Sequence, residues 1–188
     1  MYTLQDLFLN ELADCHDAES RFGKALPGML KAATSDDLKT VFRLLLKETE
    51  CHVIKVGKVF ECFDRKARWK TCEPIMGLLR EGACMAASFE RSPAINAALV
   101  VSAQRVGHYK MATYGCLQEW ALQLESKRAA LLLRELLEEE KAGHKVLTTL
   151  ARTLCHDEKP ADGEPGVVRV RERPPCRNLV PSFRESRP

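Results

Sequence analysis

The sequence predicts an all-α protein, a bundle of four long antiparallel helices, and three observations predict it. Apolar residues recur at spacings of three and four in four separate stretches, the period of a helix with one face in a core. Aromatics are only 6% while Leu, Ala, Glu and Lys abound, a mix that suits helices better than pleated sheets. Short connections join the first stretch to the second and the third to the fourth, whereas nearly thirty residues separate the second from the third.

The first helix is predicted from about Thr3 to Lys31, on the stripe Leu4, Leu7, Phe8, Leu12, Cys15, Phe22 and Leu26, with Pro27 kinking or interrupting it. Thr34-Ser35-Asp36-Asp37 supplies an N-cap and acids for the positive end of the second helix. That helix carries Leu38, Val41, Leu45, Val56, Val59 and Phe63 and ends near Asp64. A basic, polar stretch, Arg65 to Thr71, breaks the pattern, and a shorter Gly- and Ala-rich helix follows from about Glu73 to Glu90. Ser92-Pro93 is expected to start the third long helix, with Pro at the first helical position and Leu99, Val106, Thr113, Leu117 and Trp120 facing inward. The fourth runs from about Ser126 to Leu154 on Leu133, Leu136, Leu147 and Leu150. Two helical hairpins joined by one long crossover are the layout of ferritin-like folds.

A chain of 188 residues holds one domain with a proper core, expected at 1–156. Residues 157–188 hold six of the nine prolines, many Arg and few large apolar side chains, so this tail is expected to be disordered. The net charge of +3 comes without a basic stripe in the helical body, and no nucleic-acid partner is expected. No apolar run approaches the roughly 20 residues that span a bilayer. The first residues carry acids and no basic n-region, which argues against a secretory signal and for a cytoplasmic protein. Eight cysteines (15, 51, 62, 72, 84, 116, 155 and 176) are scattered without a C-x-x-C pair, so they read as small hydrophobes rather than zinc or redox ligands. No Gly-rich phosphate loop and no H-E-x-x-H occurs, and no Ser-His-Asp set can be argued.

Three glutamates fall in the apolar register: Glu19, Glu48 and Glu140. Converging buried carboxylates repel one another, so a metal, a buried cation or shared protons must neutralise them. His52 lies one turn beyond Glu48, and His144 one turn beyond Glu140, as in an internally duplicated bundle. Carboxylates with imidazoles suit iron, manganese or zinc, although di-iron bundles space Glu and His by three residues and here the spacing is four. His16 is read as a partly exposed flank residue or a partner orienting Glu19, and His108 as a boundary histidine. Tyr109 and Tyr114 are read as packing residues, and Glu138 and Glu139 as part of the solvated face.

The runs LQDLFLNELADCHDAE, KETECHV, CEPIMGLLREG, SAQRVGHYKMATYG and LLRELLEEEKAGHKVLTTLA resemble the YciE/YciF family in one order from about Thr3 to Leu154. The resemblance implies a ferritin-like, bacterial stress-associated domain of poorly defined activity, a dinuclear metal centre at mid-bundle and pairing into homodimers. It maps Glu19, Glu48 and Glu140 onto acidic positions typical of the family. Where similar members read V-E-H-Y-E, this chain reads Val106-Gly107-His108-Tyr109-Lys110, so the third long helix offers no carboxylate and Lys110 stands near the inward stripe. The first reading is therefore a self-associating bundle whose metal centre is degenerate or absent, with a Lys110–Glu network in its place. The alternatives are a carboxylate-bridged di-iron or di-manganese protein that oxidises Fe(II) or disposes of peroxide, and a protein holding a single metal. Glu19, Glu48, His52, Glu140 and His144 are the candidate ligands in both.

Overall fold

A computed structural model describes residues 1–154, so the predicted disordered tail, with Cys155 and Cys176, lies outside the described residues. Five helices and no strands make up the described chain: α1 (Leu4–Ala32), α2 (Asp36–Glu61), α3 (Glu73–Ser88), α4 (Ile95–Gln123) and α5 (Lys127–Leu154). α4 and α5 are the predicted third and fourth long helices, and α3 is the helix of the crossover.

Local chemistry sets most of the boundaries. Thr3 and Asp6 form a reciprocal capping box at the start of α1, each side chain accepting from the other's backbone N–H at 3.1 and 2.9 Å. Ser35 caps α2 by accepting from the Leu38 N–H. Asn96 of α4 reaches this turn, accepting from the N–H groups of Thr34 and Ser35 and donating to the Thr34 hydroxyl. α2 and α4 both end in a left-handed residue, Asp64 (φ 53°) and Glu125 (φ 59°). The following N–H reaches back to Phe60 and to Ala121 respectively, closing each helix in a Schellman turn.

One expectation about proline is narrowed and another is corrected. Pro27 does not interrupt α1, which continues to Ala32. Pro27 is exposed, so the carbonyl that loses its helical partner can bond to water. α4 begins at Ile95, not at Pro93, because Ser92 turns the chain first: its hydroxyl accepts from Ala94 N–H and its carbonyl from Ile95 N–H.

α1 packs on α2 and α4, and α5 packs on α4 and α2, so the four long helices close a ring while α3 lies against α4 and α1. Inside the ring are two apolar clusters. One gathers Phe8, Leu12, Val56, Phe60, Leu117 and Leu133, and the other gathers Phe22, Leu26, Leu38, Phe42, Leu99 and Val106. Each long helix contributes to both and carries a polar residue where it passes from one to the other: Glu19, His52, Lys110 and Glu140. Leu7, predicted to face inward, is 44% exposed. No helix of the described residues is long and apolar enough to cross a membrane.

Candidate functional site

The four polar residues meet. Glu19 is fully buried; its Oε1 accepts from the Tyr114 hydroxyl at 2.5 Å, and its Oε2 accepts from Lys110 Nζ at 3.1 Å. Lys110, only 2% exposed, also donates to Glu140 Oε1 at 2.5 Å and stands 5.0 Å above the Phe22 ring. His52 Nδ1 lies 3.3 Å from both Glu19 Oε1 and Glu140 Oε1, and its Nε2 lies 3.0 Å from Glu139 Oε2. Only an imidazolium can offer N–H groups on both sides of the ring to carboxylates.

The electrostatics follow from that geometry. Burial opposes the charge on His52, but hydrogen bonds to Glu140 and Glu19 outweigh it and raise the imidazole to about 9. Burial likewise opposes ionisation of Glu19, and the Lys110 ammonium with the His52 and Tyr114 hydrogen bonds lowers it to about 2. Lys110 is raised despite its burial, through Glu19 and Glu140. The Tyr114 hydroxyl is pushed well up, by burial first and then by the Glu19 charge. Two carboxylates thus face two cations, and Glu139 is matched by Lys55 at 2.6 Å. The centre is internally neutral.

Glu19, His52 and Glu140 each present a ligand atom within 4.8 Å of the others. A dinuclear carboxylate centre needs acidic donors from all four helices, and α4 supplies an ammonium instead. That ammonium lies between the Glu19 and Glu140 carboxylates. The residues present therefore do not fit a dinuclear iron or manganese group.

The other two predicted ligands stand apart from this cluster. Glu48, expected in the core register, is exposed. It lines the rim of a pocket of about 20 Å³ beside Glu140, room for about one water molecule. Partial burial, with repulsion from Glu140 and Glu139, nevertheless raises its carboxyl. His144 lines the same pocket, bonds through Nδ1 to the Gln104 side chain and meets His108 ring to ring at 4.6 Å. Burial and the neighbouring His108 lower its affinity for protons. Gly107 lines the same pocket, and a Cβ there would make ordinary van der Waals contact with Glu140 Oε2 at 3.6 Å.

Two features escaped the sequence. Glu139 joins the centre from a half-exposed position, reaching His52 and Lys55 across the α2–α5 seam. Its spacing of three from the buried Leu136 was the available signal. A polar shelf also lies on α1 under the crossover, with Asp14, His16 and Asp17 all buried. Asp14 accepts from Lys70 at 2.6 Å, and Asp17 accepts from Arg21 and from the Cys72 backbone N–H at 2.9 Å. The His16 ring meets Trp69 edge-on at 4.9 Å, and its buried Nδ1 has no hydrogen-bond partner. Burial lowers its tendency to protonate. Cys72 Sγ and the Tyr109 hydroxyl lie 3.0 Å apart beside this shelf.

Fold and centre together define a helical domain organised around a buried acid–base cluster. Residues 3–159 match a domain of unknown function, DUF892, and the chain belongs to that family. It is 36% identical over 152 residues to Protein YciF of Escherichia coli (strain K12), covering 80% of this chain and 92% of YciF. The crystal structure of the E. coli stress protein YciF superposes with a TM-score of 0.80 at 34% identity, covering 84% of this chain and 100% of that one. YcfI from Rhodopseudomonas palustris, named as a proposed structural protein, matches with a TM-score of 0.77 at 35% identity, over 79% of this chain and 94% of its own.

Proposed function

We propose that this chain is a ferritin-like, stress-associated bundle protein that self-associates into homodimers and has exchanged a metal centre for an ion-pair network. One observation carries the reading: Lys110 Nζ sits between Glu19 and Glu140, 3.1 and 2.5 Å from their oxygens. A cation already built into the fold neutralises the carboxylates at the place where an iron or manganese ion would do so. The protonated His52 completes the balance and is closed to a metal in that state. Such a network fixes the register of four helices more than it adds stability. The stress protein and the proposed structural protein among its relatives are consistent with a scaffold or partner-binding role.

The test is metal content. Protein purified from iron-supplemented cells should carry close to no iron or manganese per chain by mass spectrometry. Lys110→Glu should restore an acidic donor on α4 and bring in about one metal ion or more per chain. Near two equivalents in the unaltered chain would replace this reading with the Fe(II)-oxidising or peroxide-disposing one. About one, lost on Glu140→Ala, would indicate a single-metal site.

A further inference from the structure

The basic stretch that breaks the helical pattern plays no part in the charged centre, and it lies outside the helical body whose lack of a basic stripe set the expectation of no nucleic-acid partner. It places Arg65, Lys66, Arg68 and Lys70 around a single Trp69. Residues 64–69 are all exposed. Trp69 is 69% exposed, more than any other large apolar side chain among the described residues after the first two. Indole surface left open to this degree on a short loop is unusual, since Trp is highly buried on average.

The strap is nonetheless fastened. It leaves α2 through the Schellman turn at Asp64, Lys70 is held by Asp14, the Cys72 N–H is held by Asp17, and the Trp69 ring rests on His16. Three charges remain uncommitted: Lys66 and Arg68 make no ion pair with any described residue, and the Arg65 guanidinium bonds only to the carbonyl of Asp64. A fixed, open indole beside three free cations offers a π-face and a set of phosphate contacts at once.

We infer that the strap is a contact surface for single-stranded nucleic acid, with a base stacked on Trp69 and phosphates met by Arg65, Lys66 and Arg68. Stacking on an aromatic platform beside a basic track is how sequence-tolerant single-strand binding is built. A duplex keeps its bases stacked on each other and has no free face for the indole. An anionic membrane would use the charge, but one indole beside Ala67, on a loop without an amphipathic helix, gives it little apolar area to bury. Because the loop is anchored, little ordering is lost on binding.

The experiment titrates the full chain into a fluorescently labelled oligothymidylate and reads anisotropy. Binding is expected, with affinity falling roughly twentyfold as salt rises from about 50 to about 200 mM, the slope for about three phosphate contacts. Trp69→Ala should weaken binding about tenfold with the salt slope kept. Trp69→Phe, which retains an aromatic ring, should recover most of it. The double variant K66E/R68E should abolish binding across this salt range, with far-UV circular dichroism unchanged. Absence of binding would overturn the inference. So would equal binding by the strap variants, which would place the contact elsewhere on the chain. Binding to phosphatidylserine vesicles without binding to the oligonucleotide would overturn it in favour of a membrane surface.

Discussion

α1 carries two buried polar assemblies about one turn apart, and they are built to different standards. The centre around Glu19 draws on all four long helices, and every charged group in it has a partner. The shelf around Asp14, His16 and Asp17 faces the crossover, and there His16 Nδ1 goes without a hydrogen bond. Burying charge is tolerable only with full pairing, and the deeper the site the stricter the demand. The shelf, closed by a loop rather than by helices, leaves a neutral ring atom unsatisfied and leaves Lys70 half-buried beside Asp14. The centre fixes how the helices meet, while the shelf fixes where the crossover lies.

The strongest way to break the comparison is to remove one cation from the centre. Lys110→Met leaves Glu19 and Glu140 sharing only His52, and urea unfolding should show a loss of about 3–5 kcal/mol. Adding Glu19→Gln should return part of that loss, because a buried amide costs less than an unpaired carboxylate. A loss within about 1 kcal/mol for Lys110→Met alone would mean that the network is not the organising feature.

The next effect is on pH. His52 has a folded-state value of about 9 against an ordinary 6.5, so its stabilisation is fully present below pH 6.5 and is lost as pH rises through 9. Over that window the contribution amounts to about 3 kcal/mol, and His52→Ala should flatten the dependence. Glu19 sets the acid limb in the opposite sense. Its stabilisation is present above the ordinary 4.5 and is lost as pH falls through about 2. Maximum stability is therefore expected between these limbs. A profile with no decline between pH 6.5 and 9 would show that His52 is neutral in the fold.

The shelf should respond least. His16→Phe keeps a ring against Trp69 and removes the unpaired nitrogen, so thermal unfolding should show no loss and a gain of up to about 1 kcal/mol. A loss of more than that would mean that His16 has a partner in solution and that the two assemblies are more alike than their geometry indicates.

Periodicity made the helices and most of the centre legible. Glu19, Lys110 and Glu140 interrupt apolar stripes at the same level of the bundle, and α3 follows from the Gly- and Ala-rich run after the basic stretch. Tyr114, read as packing with a polar tip, is buried and spends its hydroxyl on Glu19. Other features were hidden for physical reasons. A spacing of three or four fixes a face only to within a broad arc. That arc is wide enough to leave Glu48 at the rim and Glu139 within reach of His52. The burial of Asp14, His16 and Asp17 was out of reach because it comes from a crossover folded over the polar side of α1, which one helix's own pattern cannot record.

The separation along the chain of the groups in the centre bears on how the molecule assembles. Glu19 and Lys110 are 91 residues apart, and Glu19 and Tyr114 are 95. Each helical hairpin brings opposite charges together by itself, His52 with Glu19 in the first and Lys110 with Glu140 in the second. Either hairpin can thus approach the other carrying a paired, partly wet cluster instead of a bare charge. The expected slow event is their mutual docking, in which water leaves the middle layer and the long-range bonds form in one step. A half-docked encounter with the layer out of step would set Lys110 or Glu19 against the apolar clusters on either side. Such encounters would dissociate instead of persisting as traps.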